Sequence, residues 1–553
     1  MTPHLNAPFA ALSQLPSHWS SLAQAFVHQA KMQPNAMAIY DSTGVSLTYR
    51  EVLVRSIGLA NILSPILGTE DIVGVLLPPS AGAALVNIAL EMLGKIPVNL
   101  NYTASQAQFD HYVRQCHMKQ IITSYKVMQR VEISSNATFV AIESLRKKLN
   151  LRLKALSFSE AELIPEKWLG AFFRGLESDH RRNRLDETAT VIFTAGSTGD
   201  PKGVMLSHRN ILSNIHAIEQ HANITKKETV LGVVPFFHSF GFTMTLWAVL
   251  VLGHTAVYHY NPLDARVIGD LCQRYQASVL FCTPTIMRSY IKRVGKDKFN
   301  SLHLCILGGE KLRAALRNEL QKELNILPLE GFGLTETSPV VACNVPNDVL
   351  DVNGRMVAGN KPGTVGLPLP GTAIRIVDIA HGGELPPGGE GMIHVCGPQV
   401  MQGYLNKPEE TSKVMDGPWF KTGDLGFLDG DGFLTVTGRL SQFSKIGGEM
   451  VPHLGVEQAI LQVTGAGEQD LVVTSAPDEK RGEKLVVVSS KLSCTPREIV
   501  KRLTESNVSR LWIPDAGDFI KLDTLPVLPS GKIDLQKIKQ LVAELKSESG
   551  ENS

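Results

Sequence analysis

Cysteine is scarce: the chain has seven in 553 residues (Cys116, Cys272, Cys282, Cys305, Cys343, Cys396 and Cys494), an odd count without CxxC or Cys/His spacing. No zinc site is legible in that pattern, and reduced, mostly buried thiols in a reducing compartment are expected. An excess of charge of either sign is also missing, with 54 Lys and Arg against 53 Asp and Glu. No global field therefore draws the chain onto nucleic acid or an anionic membrane, and any charge effect must be local. The N-terminus lacks a basic n-region, a sustained apolar core and a clear cleavage site, so no secretory signal is read and the cytoplasm is the expected compartment. Internal repeats and low-complexity tracts are absent as well. One stretch, Thr229 to Leu263, carries no Asp, Glu, Lys or Arg and is long enough to span a bilayer. Pro235, His238, Gly241, Gly253, His254, His259 and Pro262 interrupt it, however, so it reads as a buried strand, a turn and a buried helix rather than a transmembrane segment.

What is present is the composition of a globular protein, 43% hydrophobic and 19% charged, with length for roughly three or four domain-sized units. From Ser20 to Tyr125 helical and strand patterns alternate: SLAQAFVHQAKMQ, AMAIYD, SLTYREVLV, IVGVLL, AALVNIALEML, PVNL. Strands separated by helical lengths predict parallel βαβ units in a doubly wound α/β fold. The rhythm resumes with VIFTA, ETVLGVVP, SVLFCTP, LHLCILGG and LPLEGFG, and ligands of such sheets sit beyond the carboxyl ends of the strands. After Thr364 short strands with Gly/Pro turns predict an antiparallel, barrel-like subdomain. An α+β portion begins near Arg439 and ends in a polar tail, KSESGENS, read as frayed. The segment SLRKKLNLRLK (144–154) has five basic residues, no acid, and leucines 145, 149 and 153, which on a helix would form one stripe. It reads as a solvated helix face, or as a basic surface for an acidic partner or membrane; HRRNR (180–184) reads as a solvated linker.

The strongest local signal is IFTAGSTGDPKGVMLSH (192–208), where an apolar strand runs into Gly196, Ser197, Thr198, Gly199, Lys202 and Gly203. Glycines let backbone amides converge on phosphate oxygens, hydroxyls add donors and the lysine adds positive charge. It is not a Walker A loop, because Lys202 is not followed by Ser or Thr. The string resembles the phosphate loop of the adenylate-forming superfamily, which holds acyl-CoA synthetases, luciferases and peptide-synthetase adenylation domains. Four further motifs follow in that family's order. GFGLTETSP (331–339) resembles its adenine-and-magnesium motif, and KTGDLG (421–426) its ribose aspartate. GRLSQFSKIGGE (438–449) resembles its hinge, and LPSGKID (528–534) its C-terminal lysine motif. The resemblance implies a large N-terminal adenylation domain over 1–438, with doubly wound sheets and a barrel-like subdomain, and a small mobile α+β domain over 439–553.

The chemistry of the residues runs beside the resemblance. ATP and Mg²⁺ are the implied cofactors. Glu336 offers a hard oxygen ligand to Mg²⁺ that also touches phosphates, with Thr335 and Thr194 as candidate hydroxyl partners. Phe332, flanked by Gly331 and Gly333, can lie flat on adenine while Gly308 and Gly309, followed by Glu310, let the base approach the backbone. Asp424 can accept from both ribose hydroxyls and Arg439 can donate to ribose or phosphate oxygens. Lys532 would stabilise charge growing between α-phosphate and carboxylate, a role carried over from the motif. The family's hinge residue is commonly Asp or Lys, and here Ser441 departs from that pattern.

VPFFHSFGFTMTLWAVLVLG contains a single ionisable side chain, His238, amid aromatics and aliphatics. The family places a gating or carboxylate-side aromatic there, and an apolar lining suits the tail of a medium or long fatty acid. LGGEKL (307–312), LGKIPVNLNYTAS (93–105) and KIGGEMVPHLGVE (445–457) look like the synthetase portion of bacterial acyl-[acyl carrier protein] synthetases. That resemblance implies transfer of the acyl group to the phosphopantetheine thiol of acyl carrier protein, which the basic segment could meet. An ordinary long-chain acyl-CoA synthetase is the alternative, and a catalytically silent nucleotide-binding protein or a luciferase-like oxygenase are remoter ones. His259 and Asp264 have the HxxxxD spacing of a lysolipid acyltransferase, read as coincidence.

Overall fold

The computed structural model describes residues 14–177, 184–194, 201–222, 224, 226–350, 356–446, 449–467, 470–478, 480–506, 508–527 and 533–550. Its centre is a nine-stranded sheet. From one edge the strands run Leu367–Pro368, Val340–Cys343, Pro328–Gly333, Leu304–Leu307, Val279–Cys282, Thr229–Gly232, Thr255–Tyr258, Met37–Asp41 and Ser46–Thr48. The strands from Pro328–Gly333 to Met37–Asp41 are parallel, and the flanking ones antiparallel. Val279–Cys282 and Leu304–Leu307 are buried at every position, as expected of short apolar runs covered on both faces. A second, wholly parallel sheet has the order Ile96–Asn99, Ile72–Val75, Gln120–Thr123, Thr138–Ala141. Helix Tyr49–Leu67 starts at a reciprocal cap, the Glu51 amide donating to Thr48 Oγ1 and the Thr48 amide to Glu51 Oε2. With Leu22–Met32 and Ala81–Met92 it contributes to one apolar core that extends into the central sheet.

VIFTA departs from the parallel reading. Thr188–Thr194 pairs antiparallel with Lys202–Ser207, which pairs in turn with Gly403–Tyr404. The connection over 195–201 is too short for a crossover helix, so the two strands can only return on each other. The barrel-like stretch is antiparallel as expected: Ala373–Val377, Gly391–Cys396 and Trp419–Leu428 lie side by side, with Met415–Asp416 and Leu434–Arg439 both on the last. Among the described residues its strand path is open rather than closed by hydrogen bonds.

The C-terminal part is α+β. A sheet of Glu449–Pro452, Phe443–Ile446, Gly482–Ser489 and Leu471–Asp478 gains Phe519–Lys521 parallel to Gly482–Ser489. Helices His453–Thr464 and Pro496–Glu505 belong to one apolar cluster and Leu535–Gly550 to another, both drawn from Ile446 onward. That last helix continues through KSESG to Gly550, and residues 551–553 of the polar tail lie outside the described residues. The seven thiols are free and five are buried. Thr229–Leu263 forms a strand, a turn and a helix as expected and then a second strand, Thr255–Tyr258, that the expectation lacked; among the described residues no helix is long and apolar enough to cross a membrane.

Two basic segments differ from their reading. Residues 144–154 do not make one helix: Ile142–Lys148 stops and Leu151–Leu163 starts afresh, because the Asn150 side chain accepts from the Leu153 amide. Leu145, Leu149 and Leu153 still face the core from both sides of that break. Within HRRNR, residues 180–183 lie outside the described residues, while Arg184 is buried, donating to the Arg174 carbonyl and paired with Glu187.

Candidate active site

The candidate residues gather where several strands end. Pro328–Gly333 delivers its chain into a short 3₁₀ turn, Thr335–Thr337, that places Glu336 in the interior. Gly333 is required there, because a Cβ would overlap the Pro339 carbonyl oxygen. The Glu336 carbonyl accepts from the Met401 amide at 2.8 Å, and its Oε1 accepts from the Tyr404 hydroxyl at 2.9 Å. Burial pushes the Glu336 carboxyl up, against its own amide, the Tyr404 hydroxyl and the charges of Arg439 and Lys202. Lys202, at the start of its strand, lies 4.9 Å above the Tyr404 ring and pairs with Glu410 at 2.8 Å. Thr194 ends the partner strand, in register with Lys202. Ser197, Thr198, Gly199 and Lys532 lie outside the described residues.

Asp424 comes from a different sheet. It is nearly fully buried in Trp419–Leu428, opposite Arg439 on the neighbouring strand. Arg439 Nε donates to Oδ1 at 2.7 Å, while Oδ2 is buried with no hydrogen-bond partner among the described residues. Burial raises the Asp424 carboxyl, Arg439 opposes the shift, and the charge of Glu336 adds to it. An unsatisfied buried acceptor is costly, so this oxygen suits a ligand bearing a hydroxyl donor. Ser441 lies in the turn Leu440–Gln442, directly between this sheet and the C-terminal one.

The adenine-side residues surround the ends of Leu304–Leu307 and Pro328–Gly333. Gly308 lies beside the Gly331 carbonyl and the Phe240 ring, and Gly309 adopts a φ of +78°, which favours glycine. Phe332 is half-buried against the apolar cluster of Val341, Ala342 and Ile393. Glu310 turns to helix Pro284–Arg293, Oε2 accepting from the Thr285 hydroxyl at 2.6 Å and from its amide. Thr335 accepts from Ser239 at 3.5 Å, which brings the PFFHSF turn to the site.

His238 is exposed at that turn, 4.4 Å from the Phe237 ring, and is not a core histidine. Beyond it the chain forms a π-helix, Gly241–Trp247, and an α-helical turn, Ala248–Val251, buried throughout. At the start of the stretch Phe240 meets Gly308 and packs against Phe281. His259 and Asp264 do approach each other, at 3.5 Å, with the imidazole buried and its pKa lowered by that burial.

Sequence reading missed Tyr404 and Glu410. Tyr404 is 68 positions from Glu336 and no local pattern marks it; only its pairing in register with Val204 brings it there.

The family model of the AMP-binding enzymes matches residues 26–405. The chain is 28% identical over 551 residues to a long-chain-fatty-acid–CoA ligase of Bacillus subtilis, covering 94% of each. It is 28% identical to a feruloyl-CoA synthase of an Amycolatopsis species, over 92% of this chain and 96% of that protein. Among solved structures, o-succinylbenzoate CoA synthetase from Bacillus subtilis, bound to its acyl-adenylate, superposes with a TM-score of 0.74 at 22% identity, covering 95% of this chain and 99% of that one. At that identity the likeness concerns the fold, in which a large N-terminal part precedes a smaller C-terminal one. A family match over residues 26–405, more than half of the chain, places the protein among the AMP-binding enzymes, the adenylate-forming superfamily that its five motifs resemble.

Proposed function

We propose that the protein activates a medium- or long-chain fatty acid with ATP and passes the acyl group to a thiol. A carboxylate resists a thiol because it is anionic and would have to expel oxide. In the first half-reaction a carboxylate oxygen attacks the α-phosphorus of ATP and the bond to pyrophosphate breaks. In the second the thiolate adds to the acyl carbon and AMP departs with the bonding pair.

The observation that carries this reading is the pair of buried carboxylates, Glu336 and Asp424, brought from two sheets with Asp424 Oδ2 left unsatisfied. Asp424 Oδ2 accepts a ribose hydroxyl while Arg439 holds the other oxygen in place. Lys202 draws phosphate, and the exposed part of Phe332 stacks on the base. Glu336 is the protein ligand for Mg²⁺. Among the described residues no group of three or more His, Cys, Asp or Glu could hold a metal, which suits an ion that takes few protein ligands and completes its shell with phosphate and water. When bound, Mg²⁺ neutralises phosphate charge. Lys532, on a small domain over 439–553 that moves about the Ser441 turn, supplies positive charge to the first half-reaction.

For the acceptor we favour CoA, since relatives matched along 94% of their length are long-chain-fatty-acid–CoA ligases. Acyl carrier protein is the second reading, favoured by the LGGEKL and KIGGEMVPHLGVE strings. Purified protein is given ATP, Mg²⁺ and fatty acids of graded length with CoA in one tube and holo acyl carrier protein in another. Acyl-CoA formation with an inert carrier is the expected result, and the reverse would install the second reading. Absence of ATP/pyrophosphate exchange with every acid would overturn the activation step itself.

A further inference from the structure

The region from Asn150 to Phe172 has no part in the proposed chemistry and carries an unusual surface. Helix Leu151–Leu163 rests on Tyr49–Leu67 through one face. Ser157 Oγ lies 3.2 Å from where a Gly58 Cβ would be, Glu160 accepts from Asn61 at 2.8 Å, and Lys31 donates to the Ala161 and Ile164 carbonyls. Helical spacing turns Leu151, Ala155 and Phe158 to the opposite face. Leu151, Leu156, Phe158, Leu163, Trp168 and Phe172 are each between 50% and 83% exposed. Six large apolar side chains within 22 positions is a density that water-facing surfaces avoid, and it marks contact with an apolar medium or partner.

Basic residues outnumber acidic ones beside them, with Arg146, Lys147, Lys148, Arg152, Lys154 and Lys167 against Glu160, Glu162 and Glu166. Arg146, Lys147, Lys148, Arg152 and Lys154 are exposed and form no ion pair among the described residues. The neighbouring acids are drawn elsewhere: Glu162 to Arg50 at 3.0 Å, Glu166 to Gln24 and His28, and Glu143 to the Tyr125 amide. Exposed cations and exposed large apolar side chains, a tryptophan among them, thus share the one stretch 146–172, the composition of segments that lie in a membrane interface. An acidic protein partner would match the cations, but it would need a complementary apolar surface for side chains spread over 22 positions. An anionic bilayer takes both, with apolar groups among the acyl chains and cations at the headgroups.

We propose that residues 146–172 form a docking surface for an anionic lipid bilayer. The surface needs neither the substrate nor the acceptor proposed above, and its test is read without turnover, so either proposal can fail alone.

The full-length protein is sedimented with vesicles of phosphatidylcholine containing roughly one-third phosphatidylglycerol, and with phosphatidylcholine alone. Binding at least about tenfold tighter to the anionic vesicles is expected, since each basic residue at such a surface raises the binding constant about fivefold, and it should weaken as salt is raised. A blue shift of fluorescence on anionic vesicles, lost in Trp168→Phe, is also expected. Leu151→Ser/Phe158→Ser/Trp168→Ser and, separately, Lys147→Glu/Lys148→Glu/Lys154→Glu should each lose about tenfold or more in vesicle binding. Both should keep the wild-type circular dichroism and melting transition, since every altered residue is outside the core. Absence of wild-type binding to anionic vesicles, or unchanged binding by the apolar variant, would overturn the proposal. So would capture of holo acyl carrier protein through these same residues without vesicle binding, which would assign the surface to a protein.

Discussion

The Tyr404 hydroxyl donates to Glu336, whose carboxyl burial pushes toward its neutral form, and the Mg²⁺ role proposed for Glu336 needs the charged one. Removing the hydroxyl in Tyr404→Phe takes away one stabilising donor of about 1–2 kcal/mol. The expected result is roughly a tenfold loss of ATP/pyrophosphate exchange, with a higher Mg²⁺ requirement. A titration of exchange rate against Mg²⁺ checks it, and a wild-type Mg²⁺ profile would show that the hydroxyl does not act through Glu336. The motif made Glu336 and Asp424 legible as candidates. Their partners were legible only in part: Arg439 stood out by its own motif, but its bond to Asp424 Oδ1 required the antiparallel register of two strands.

At the scale of elements, the turn after Pro328–Gly333 decides where the Glu336 carboxylate points. Gly333→Ala would drive a methyl group into the Pro339 carbonyl oxygen, so the strand and the turn must separate. A loss of about 1–3 kcal/mol of stability is expected, together with loss of exchange activity beyond what the fall in folded fraction explains. Denaturant unfolding and activity measured on the same sample separate the two. Strand identities in this region were readable because short apolar runs bounded by Gly and Pro have few alternatives. The direction of Thr188–Thr194 was not, since an apolar run looks alike in parallel and antiparallel sheets and only the length of the return decides. The break at Asn150 was obscured in the same way: the leucine spacing fits one helix, and a side-chain cap divides it in two.

Two predictions concern the whole molecule. If the small domain brings Lys532 to the first half-reaction only, Lys532→Ala should lose on the order of 10²- to 10³-fold in acyl-adenylate formation. Thioester formation from synthetic acyl-adenylate should be spared; equal loss in both halves would contradict a mobile lysine. The C-terminal part also carries a titrating device. Glu457 sits on helix His453–Thr464, accepts from the Val473 amide at 2.9 Å, and burial raises its carboxyl to about 7. A folded-state value raised above the unfolded 4.5 means that the contribution to stability is full below pH 4.5 and is lost as pH rises through about 7. Glu457→Gln should flatten the decline of the thermal midpoint over that interval, which melting curves at pH 5 to 8 would detect.

The amino-acid sequence alone determined the alternation of elements, the five motifs, and with them the family and the types of side chain the chemistry needs. Those properties are local: a glycine-rich turn, a capped helix or a buried four-residue strand is specified by residues adjacent in the chain. Tertiary structure decided which of those side chains meet. It joined Tyr404 to Glu336, left Asp424 Oδ2 without a partner, exposed His238 and buried the helix that follows it. It also turned one face of Leu151–Leu163 inward and left the other apolar face outside. Strand register and the packing of one face against another depend on residues far apart in the chain, and no local pattern encodes that pairing.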